Sequence, residues 1–327
     1  MENPKPLLDA IRETGKKPVF VPFYSSSQEK VCAELLEAEL FGSEPNVCSR
    51  YFSKNTFKEE CVKLDIPTVE GVSQSLDSPS DLESLESLVS SLLSHYDSVI
   101  IRGEHGSAGS SVYKTDSPDI IHIYEEIKES KQSKVLVEPM LKVIASPNDQ
   151  WAIDRSGDIH HLGMSAQLFE GLKHAGNLKG QYFSGRTYRT IQKMSRTIAK
   201  KMAGDGYVGV FGIDYIITQE GIFPIENNAR INGSTFTFGI VDAIEEKIGK
   251  VPCWKFFKVH SEARSFEELK GTMRDLLYDG TKINVVFPYD CDTLSETGTF
   301  AVVLLAEDMY HIEYLEEGLK SMGIRRV

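Results

Sequence analysis

Two hydrophobic patterns alternate along the chain. Short apolar runs are bounded by turn residues, and longer stretches repeat their apolar positions every three or four residues. Pro18 to Tyr24 reads as a strand. Glu29 to Phe41 sets Val31, Leu35, Leu36 and Leu40 at helical spacing. A second helix carries Lys54, Phe57, Cys61 and Leu64 and stops at Asp65-Ile66-Pro67, where proline cannot continue it. Ser78-Pro79 has the form of an N-cap with proline at the first helical position. The helix it opens puts Leu82, Leu85, Leu88, Val89, Leu92 and Leu93 on one face. Asp97 to Ile101 is a short strand. Ser117-Pro118 repeats the cap signature ahead of Ile120, Ile121, Tyr124 and Ile127, and Lys134 to Pro139 is another strand. The polar stretch Glu125 to Lys134 reads as a solvated helix end and loop.

Further along, Trp151–Asp154, Arg155–Gly157 and Ile159–Leu162 read as strand, turn and strand. Tyr188 to Met202 is an amphipathic helix, and Val208–Ile217 with Ile222–Glu226 forms a second hairpin. The last segment, 251–327, mixes short strands (Ile283–Phe287, Phe300–Ala306) with a final helix, Ile312 to Met322. No internal repeat or low-complexity tract interrupts this alternation, which fits an α+β (α/β) protein.

Composition narrows the class. The chain has 327 residues, 41% hydrophobic and 26% charged, an ordinary globular mix for about two or three domains. A net charge of -12 gives no electrostatic footprint for nucleic acid or an anionic membrane. A small anion in a local basic pocket stays compatible with it. Five cysteines, without a Cys-x-x-Cys pair, exclude a zinc ribbon and point to a reducing compartment. The N-terminus lacks an apolar h-region, and no run approaches the ~18 apolar residues of a membrane span. The expectation is a soluble, cytoplasmic chain with small-molecule partners.

Chemistry concentrates in Gly212-Ile-Asp214 and Glu226-Asn-Asn228-Ala-Arg230. Alternation puts Glu226 and Asn228 on one face of a strand. If Gln219-Glu220-Gly221 is a three-residue loop with a left-handed Gly221, Thr218 faces Ile222 and Asp214 faces Glu226. Two facing carboxylates repel unless a cation lies between them, and hard oxygen donors suit Mg²⁺. Spacing alone also fits a solvated hairpin face carrying two acids. The apolar flanks of both acids favour the cation, since an unpaired charge at the end of a buried strand is expensive.

Arg102-Gly103-Glu104-His105-Gly106-Ser107-Ala108-Gly109-Ser110 joins two strands. Its glycines and serines can form an anion nest, with Arg102 as a fixed charge. It is neither a Walker loop nor a dinucleotide fingerprint, and by itself it also reads as a flexible hairpin loop with His105 as a loop residue. Trp151 and Trp254 read as core. His160-His161 reads as a strand pair, and Asp290 and Asp292 as turn acids. Arg186 and Arg189 read equally as carboxylate binders or exposed helix-start residues.

Taken in order, Lys54 in Tyr-Phe-Ser-Lys-Asn, the strand and loop at 99–112, Val-Leu-Val-Glu138-Pro-Met-Leu141, Gly-Ile-Asp214 and Glu226-Asn-Asn228-Ala-Arg230-Ile-Asn232-Gly233-Ser234-Thr235 resemble the ATP-grasp superfamily. Ser165-Ala-Gln167-Leu-Phe-Glu-Gly171 and Gly180-Gln-Tyr-Phe-Ser-Gly185 resemble the branch of the pheganomycin-type peptide ligase and the butirosin-pathway ligase that loads an acyl carrier protein. The resemblance implies an ATP-grasp fold, two α+β subdomains clamping ATP. The segments it implies are a short N-terminal piece (1–50), a central subdomain with the glycine-rich loop (51–137), a second subdomain with the metal site (138–250) and a small C-terminal α+β domain (251–327).

The resemblance further implies an ATP-dependent, ADP-forming carboxylate-amine ligase that activates an amino acid or peptide as an acyl phosphate. Its alternatives are a carrier-protein thiol as acceptor, phosphotransfer to an alcohol, and non-catalytic nucleotide binding. Lys54 and Arg102 would reach the phosphates, and Gly106, Ser107, Ala108, Gly109 and Ser110 would close over them. Glu138 and Met140 would lie beside adenine, and Asp149 or Asn148 near the ribose. Asp214, Glu226 and Asn228 would hold Mg²⁺ (or Mn²⁺). Arg230, Asn232, Gly233, Ser234 and Arg186 would face the substrate, with Arg230, Lys54 and Arg102 catalytic. Arg102 stands where lysine is usual. The short stretch before Lys54 invites a contribution from a partner or a homodimer.

Overall fold

Residues 4–52 form α1 (Lys5–Glu13), β1 (Val19–Phe20), α2 (Ser27–Leu35), β2 (Glu39–Leu40) and α3 (Pro45–Phe52) in a computed structural model that describes residues 4–78, 80–106, 111–180 and 183–327. The strand expected over 18–24 shrinks to two residues, because Pro18 and Pro22 have no N–H to give a ladder. The helix expected to reach Phe41 stops at Leu35. Glu37 turns the chain with a left-handed φ of 51°, and β2 then returns parallel to β1, pairing Val19 with Glu39 and Phe20 with Leu40.

Next come α4 (Lys54–Lys63), β3 (Val72–Ser75), α5 (Asp81–Leu93), β4 (Val99–Gly103), β5 (Val112–Thr115), α6 (Ile121–Glu129) and β6 (Lys134–Pro139). Ser53 Oγ caps α4 by accepting the Thr56 N–H at 3.3 Å. The Ser78 cap does not form. Asp81 turns back to accept the Ser78 N–H at 2.7 Å, and α5 starts two residues later than expected; Pro79 lies outside the described residues. Ser117 likewise accepts the Asp119 N–H within a turn, and α6 begins at Ile121. The strands join as an antiparallel sheet in the order β3-β6-β4-β5. Alternation sends Val99, Ile101, Val135 and Val137 into a core with Leu85, Val89, Ile120 and Ile127. Each such fully buried side chain contributes about 1.5–3 kcal/mol. The other face of β4 and β6 carries Ile100, Arg102, Leu136 and Glu138.

The chain continues with β7 (Pro147–Ile153), β8 (Ile159–Glu170), β9 (Lys173–Lys179), α7 (Gly185–Gly204), β10 (Gly209–Ile217) and β11 (Ile222–Asn228). It closes with α8 (Gly233–Ile248), β12 (Cys253–His260), α9 (Phe266–Met273), β13 (Val285–Tyr289), α10 (Leu294–Thr297), β14 (Thr299–Ala306), α11 (Met309–Ser321) and β15 (Arg325–Arg326). These elements divide into two compact units. One holds 1–145, 149–162 and 189–232; the other holds 146–148, 163–188 and 233–327. This division does not follow the four consecutive segments expected. Residues 1–50 pack into the first unit: Ile231 N–H reaches Phe23 O at 3.0 Å, and Ser43 Oγ reaches Val208 O at 2.8 Å.

In the second unit, β9, β12, β14 and β13 pair antiparallel in that order. The unbroken apolar run of β14 is buried on both faces. Val302 and Leu304 join Phe257, Ile312 and Leu315, while Val303 and Leu305 join Phe238, Val241 and Trp254. Trp151 and Trp254 are both buried, as expected of core residues. No helix among the described residues is long and apolar enough to cross a membrane.

Candidate functional site

The β10–β11 hairpin lies in the first unit and sets the carboxylates. Asp214 pairs directly with Glu226, and Gly212 with Asn228. All four residues therefore share one face, with the acid Cβ atoms ~5 Å apart. The route to this register differs from the expected one. Ile217, not Thr218, faces Ile222, so the loop has four residues, and Gly221 is nearly extended at φ 158°. A bulge between Asp214 and Tyr215 restores the pairing by leaving Ile225 without a partner. Pro224, beside it, has no N–H for the ladder. The Ile225 carbonyl instead accepts Arg102 Nη1 at 2.9 Å. Gly212 has a steric reason to be glycine, since a Cβ there would lie 2.1 Å from Gln150 Nε2. Gln150 is buried and donates to Asn232 Oδ1 at 3.0 Å.

Lys54 starts α4 and is 3% exposed, and its ammonium lies 3.3 Å from Glu226 Oε1. Asn228 donates to Asp214 Oδ2 at 2.9 Å and accepts Arg230 Nη2 at 2.8 Å. Its amide oxygen keeps a second lone pair. Two facing carboxylates and this oxygen form a hard donor set that fits Mg²⁺. Among the described residues, no group of three His, Cys, Asp or Glu side chains has metal-ligating geometry, so the amide oxygen is needed to complete a trio.

Arg102 and Glu138 stand differently from expectation. Glu138 accepts Lys58 Nζ at 2.6 Å and Arg102 Nη2 at 2.8 Å, and all three side chains are largely buried. Arg102 thus divides its donors between Glu138 and the Ile225 bulge, and its Nε is buried without a hydrogen-bond partner among the described residues. Both residues act first as a clamp between β4, β6 and β11. Lys58 was missed from the sequence. Its signal was its place four residues after Lys54, on the same face of α4.

Arg230 is held by rings. Its guanidinium carbon lies 5.2 Å from the centre of the Phe23 ring and 5.4 Å from that of Phe52. Burial lowers its pKa, while Glu226 and Asp214 raise it. The Phe52 ring also stacks on His105, with centroids 6.0 Å apart and planes 10° from parallel. His105 is fixed by Gln132, which binds its N–H and its carbonyl at 3.0 and 2.8 Å. Glu104 accepts Ser53 Oγ at 2.8 Å, tying the start of the loop to the cap of α4. Gly106 is half-buried; Ser107, Ala108, Gly109 and Ser110 lie outside the described residues.

Several expected ligand contacts are already committed. The Met140 N–H goes to Ser98 O at 2.9 Å, so it has no donor left for adenine. Asp149 is wholly buried and accepts Trp151 Nε1 at 2.7 Å and His161 Nε2 at 2.8 Å, which removes it from any ribose. Asn148 is buried too, in the second unit. His160 and His161 are not a bare strand pair, since His160 pairs with Asp154 at 2.9 Å and His161 with Asp149. Arg186 is exposed near the start of α7 in the second unit, and Arg189 is exposed in the first. Gly233 and Ser234 open helix α8 in the second unit rather than forming a turn.

Residues 99–228 match the model of a family described as L-aspartate–L-methionine ligase, ATP grasp. The match spans β4 to β11, and with them Arg102, Glu138, Asp214, Glu226 and Asn228. Similar solved structures include the biotin carboxylase domain of Hydrogenobacter thermophilus 2-oxoglutarate carboxylase, at 14% identity and TM-score 0.70, covering 99% of this chain and 78% of that one. The N5-carboxyaminoimidazole ribonucleotide synthetase PurK aligns at 12% identity and TM-score 0.66, covering 93% and 79%. D-alanyl-alanine synthetase A of Vibrio cholerae aligns at 20% identity and TM-score 0.51, covering 64% and 65%. The fold is the ATP-grasp fold. No curated protein matches the sequence. In ATP-grasp terms, Lys54, the Asp214–Glu226–Asn228 trio and Arg230 are joined by contacts within the first unit.

Proposed function

We propose that this chain is an ATP-dependent, ADP-forming ligase that activates a carboxylate and joins it to an amine. The observation that carries the reading is the cross-strand pair Asp214–Glu226, with Lys54 on one carboxylate and Asn228 linking the other to Arg230. The family description of residues 99–228 names an amide-forming ligase, which supports an amine acceptor. The resemblance to the pheganomycin-type and butirosin-pathway ligases falls in the same class of carboxylate activation. All five cysteines are unpaired thiols, which supports a reducing, cytoplasmic setting.

Mg²⁺, with Mn²⁺ as its alternative, would be held by Asp214, Glu226 and Asn228 and would supply charge neutralisation to phosphate oxygens. The chain's own residues do the rest by positioning. Lys54 offers its ammonium beside Glu226 to the transferring phosphoryl group. Arg230 presents a planar fork to the substrate carboxylate, held in place by Phe23, Phe52 and Asn228. A carboxylate oxygen attacks the γ-phosphorus, the bond to the β-phosphate oxygen breaks, and ADP leaves. The amine nitrogen then attacks the acyl carbon, phosphate departs, and the amine loses a proton. Closure over the acyl phosphate would keep water out.

The test is phosphate and ADP release with ATP and Mg²⁺ across a panel of amino acids, for the wild type and Glu226→Gln. The substitution keeps the shape of the side chain and removes one anionic ligand. It should cut release at least 100-fold with an unchanged circular dichroism spectrum. Full activity of Glu226→Gln would overturn the metal assignment.

A further inference from the structure

We infer that a cavity bordered by Arg230 receives the short apolar side chain of the acid to be activated. This deepens the proposed function and rests on it. β1 and β2 run parallel, and the segments leaving their carboxyl ends, 21–23 and 41–43, line a cavity of about 60 Å³. The remaining wall comes from Ser25, Cys48, 207–210 and 229–231, within the same unit.

The wall has few polar groups to offer. Ser43 Oγ donates to Val208 O and accepts the Val208 N–H, both at 2.8 Å. Cys48 Sγ donates to Ala229 O at 3.0 Å, and Tyr207 Oη donates to Val210 O at 2.9 Å. Burial pushes the Cys48 thiol up to about 11, so it stays neutral. Arg230 is the charged residue among those lining the cavity. Two of its N–H groups go to Asn228 Oδ1 and Ile231 O, from a fork that carries five. A carboxylate placed on that fork would stand at the border of this cavity.

Size sets the class. An apolar cavity of about 150 Å³ admits benzene. A volume of about 60 Å³ suits a group between methyl and isopropyl. A second carboxylate would meet the Ser25 hydroxyl but no cation besides Arg230, which the first carboxylate takes. The cavity therefore favours alanine- or valine-like acids over aspartate, in contrast to the aspartate named in the family description.

The test uses the full chain with a non-hydrolysable ATP analogue and Mg²⁺, and titrates L-alanine, L-valine, L-aspartate and L-phenylalanine calorimetrically. Alanine and valine should bind at least tenfold more tightly than aspartate and phenylalanine. Phe41→Ala widens the wall and should raise phenylalanine affinity relative to alanine at least tenfold. Should that variant fail to fold, Val21→Ala, at a residue 55% exposed, probes the same wall. Aspartate binding as tightly as alanine, or a variant that folds and leaves the order unchanged, would overturn the inference. In a parallel assay with ATP in place of the analogue, ADP release with any acid of the panel keeps the ligase reading even if this order fails. The expected order without ADP release from any acid keeps the cavity and sinks the ligase.

Discussion

Replacing Glu138 with leucine separates a structural clamp from a ligand contact. Glu138 is 6% exposed in its side chain and pairs with both Lys58 and Arg102, themselves 15% and 7% exposed. Removing one member of a buried ion pair costs about 3–5 kcal/mol, because the partner charge stays buried. Two contacts soften the loss. Lys58 Nζ keeps Val69 O at 2.5 Å, and Arg102 keeps Ile225 O. The low end, about 3 kcal/mol, is therefore the working figure. At about 2–4 °C per kcal/mol for a domain of this order, the ligand-free protein should melt about 6–12 °C lower. Differential scanning calorimetry without nucleotide reads this directly. Adding Lys58→Met to Glu138→Leu removes one stranded cation and should recover part of the loss, a coupling that a double-mutant cycle measures. A melt of Glu138→Leu within about 2 °C of wild type would refute the clamp. Glu138 would then be free to serve a ligand alone.

Phe52→Leu removes one ring from beside Arg230, worth about 0.5–2 kcal/mol; the KM for the acid should rise roughly 2- to 30-fold with the KM for ATP little changed in steady-state assays. Cys48, raised to about 11 by burial, should resist iodoacetamide at pH 8 in the folded protein and react once urea unfolds it, as peptide mass mapping would show. Burial pushes the Asp205 carboxyl up, but hydrogen bonds from Lys201 and Tyr51 outweigh this and hold it below its ordinary value. Its contribution to stability is therefore full above the unfolded pKa near ~3.9 and is lost as pH falls through the lower folded value. Asp205→Asn should melt below wild type at pH 7, and the gap should narrow as pH falls below ~3.9.

The carboxylate pair was legible because alternation in two short strands is a local signal. Asp214 faces Glu226, although the expected loop had one residue too few and the Ile225 bulge made up the difference. Nothing in the local pattern announces a bulge except Pro224. The pairing of β1 with β2 was not legible either, although β1 falls inside the strand expected over 18–24. Two-residue strands carry no periodicity, and their pairing is fixed by the turn at Glu37. The ring contacts of Arg230 were the hardest to foresee. Phe23 and Phe52 lie far from it along the chain, and only folding brings them within 5.4 Å. The hydrogen bonds of Met140 and Asp149 were hidden for a related reason. A motif gives a residue's position along the chain, but not whether Ser98 or Trp151 has already taken its hydrogen bond.

The balance of charge explains why so many cations surround one small site. Glu138 offsets Lys58 and Arg102 and leaves one positive charge in surplus. Asp214 and Glu226 match Lys54 and Arg230, which they reach through a direct contact and through Asn228. Without ligands the cluster is thus close to neutral, with Lys54 standing 3.3 Å from Glu226 where a cation would bind. A dication alone would have to compete with that ammonium and would add to the surplus. A polyphosphate alone would face the two carboxylates. Bound together they nearly cancel, and each removes the charge that opposes the other. In the proposed reading, the Lys54–Glu226 contact is the resting arrangement of a site built for both ligands at once, and the clamp of Arg102 on the Ile225 bulge keeps β11 in register while they arrive.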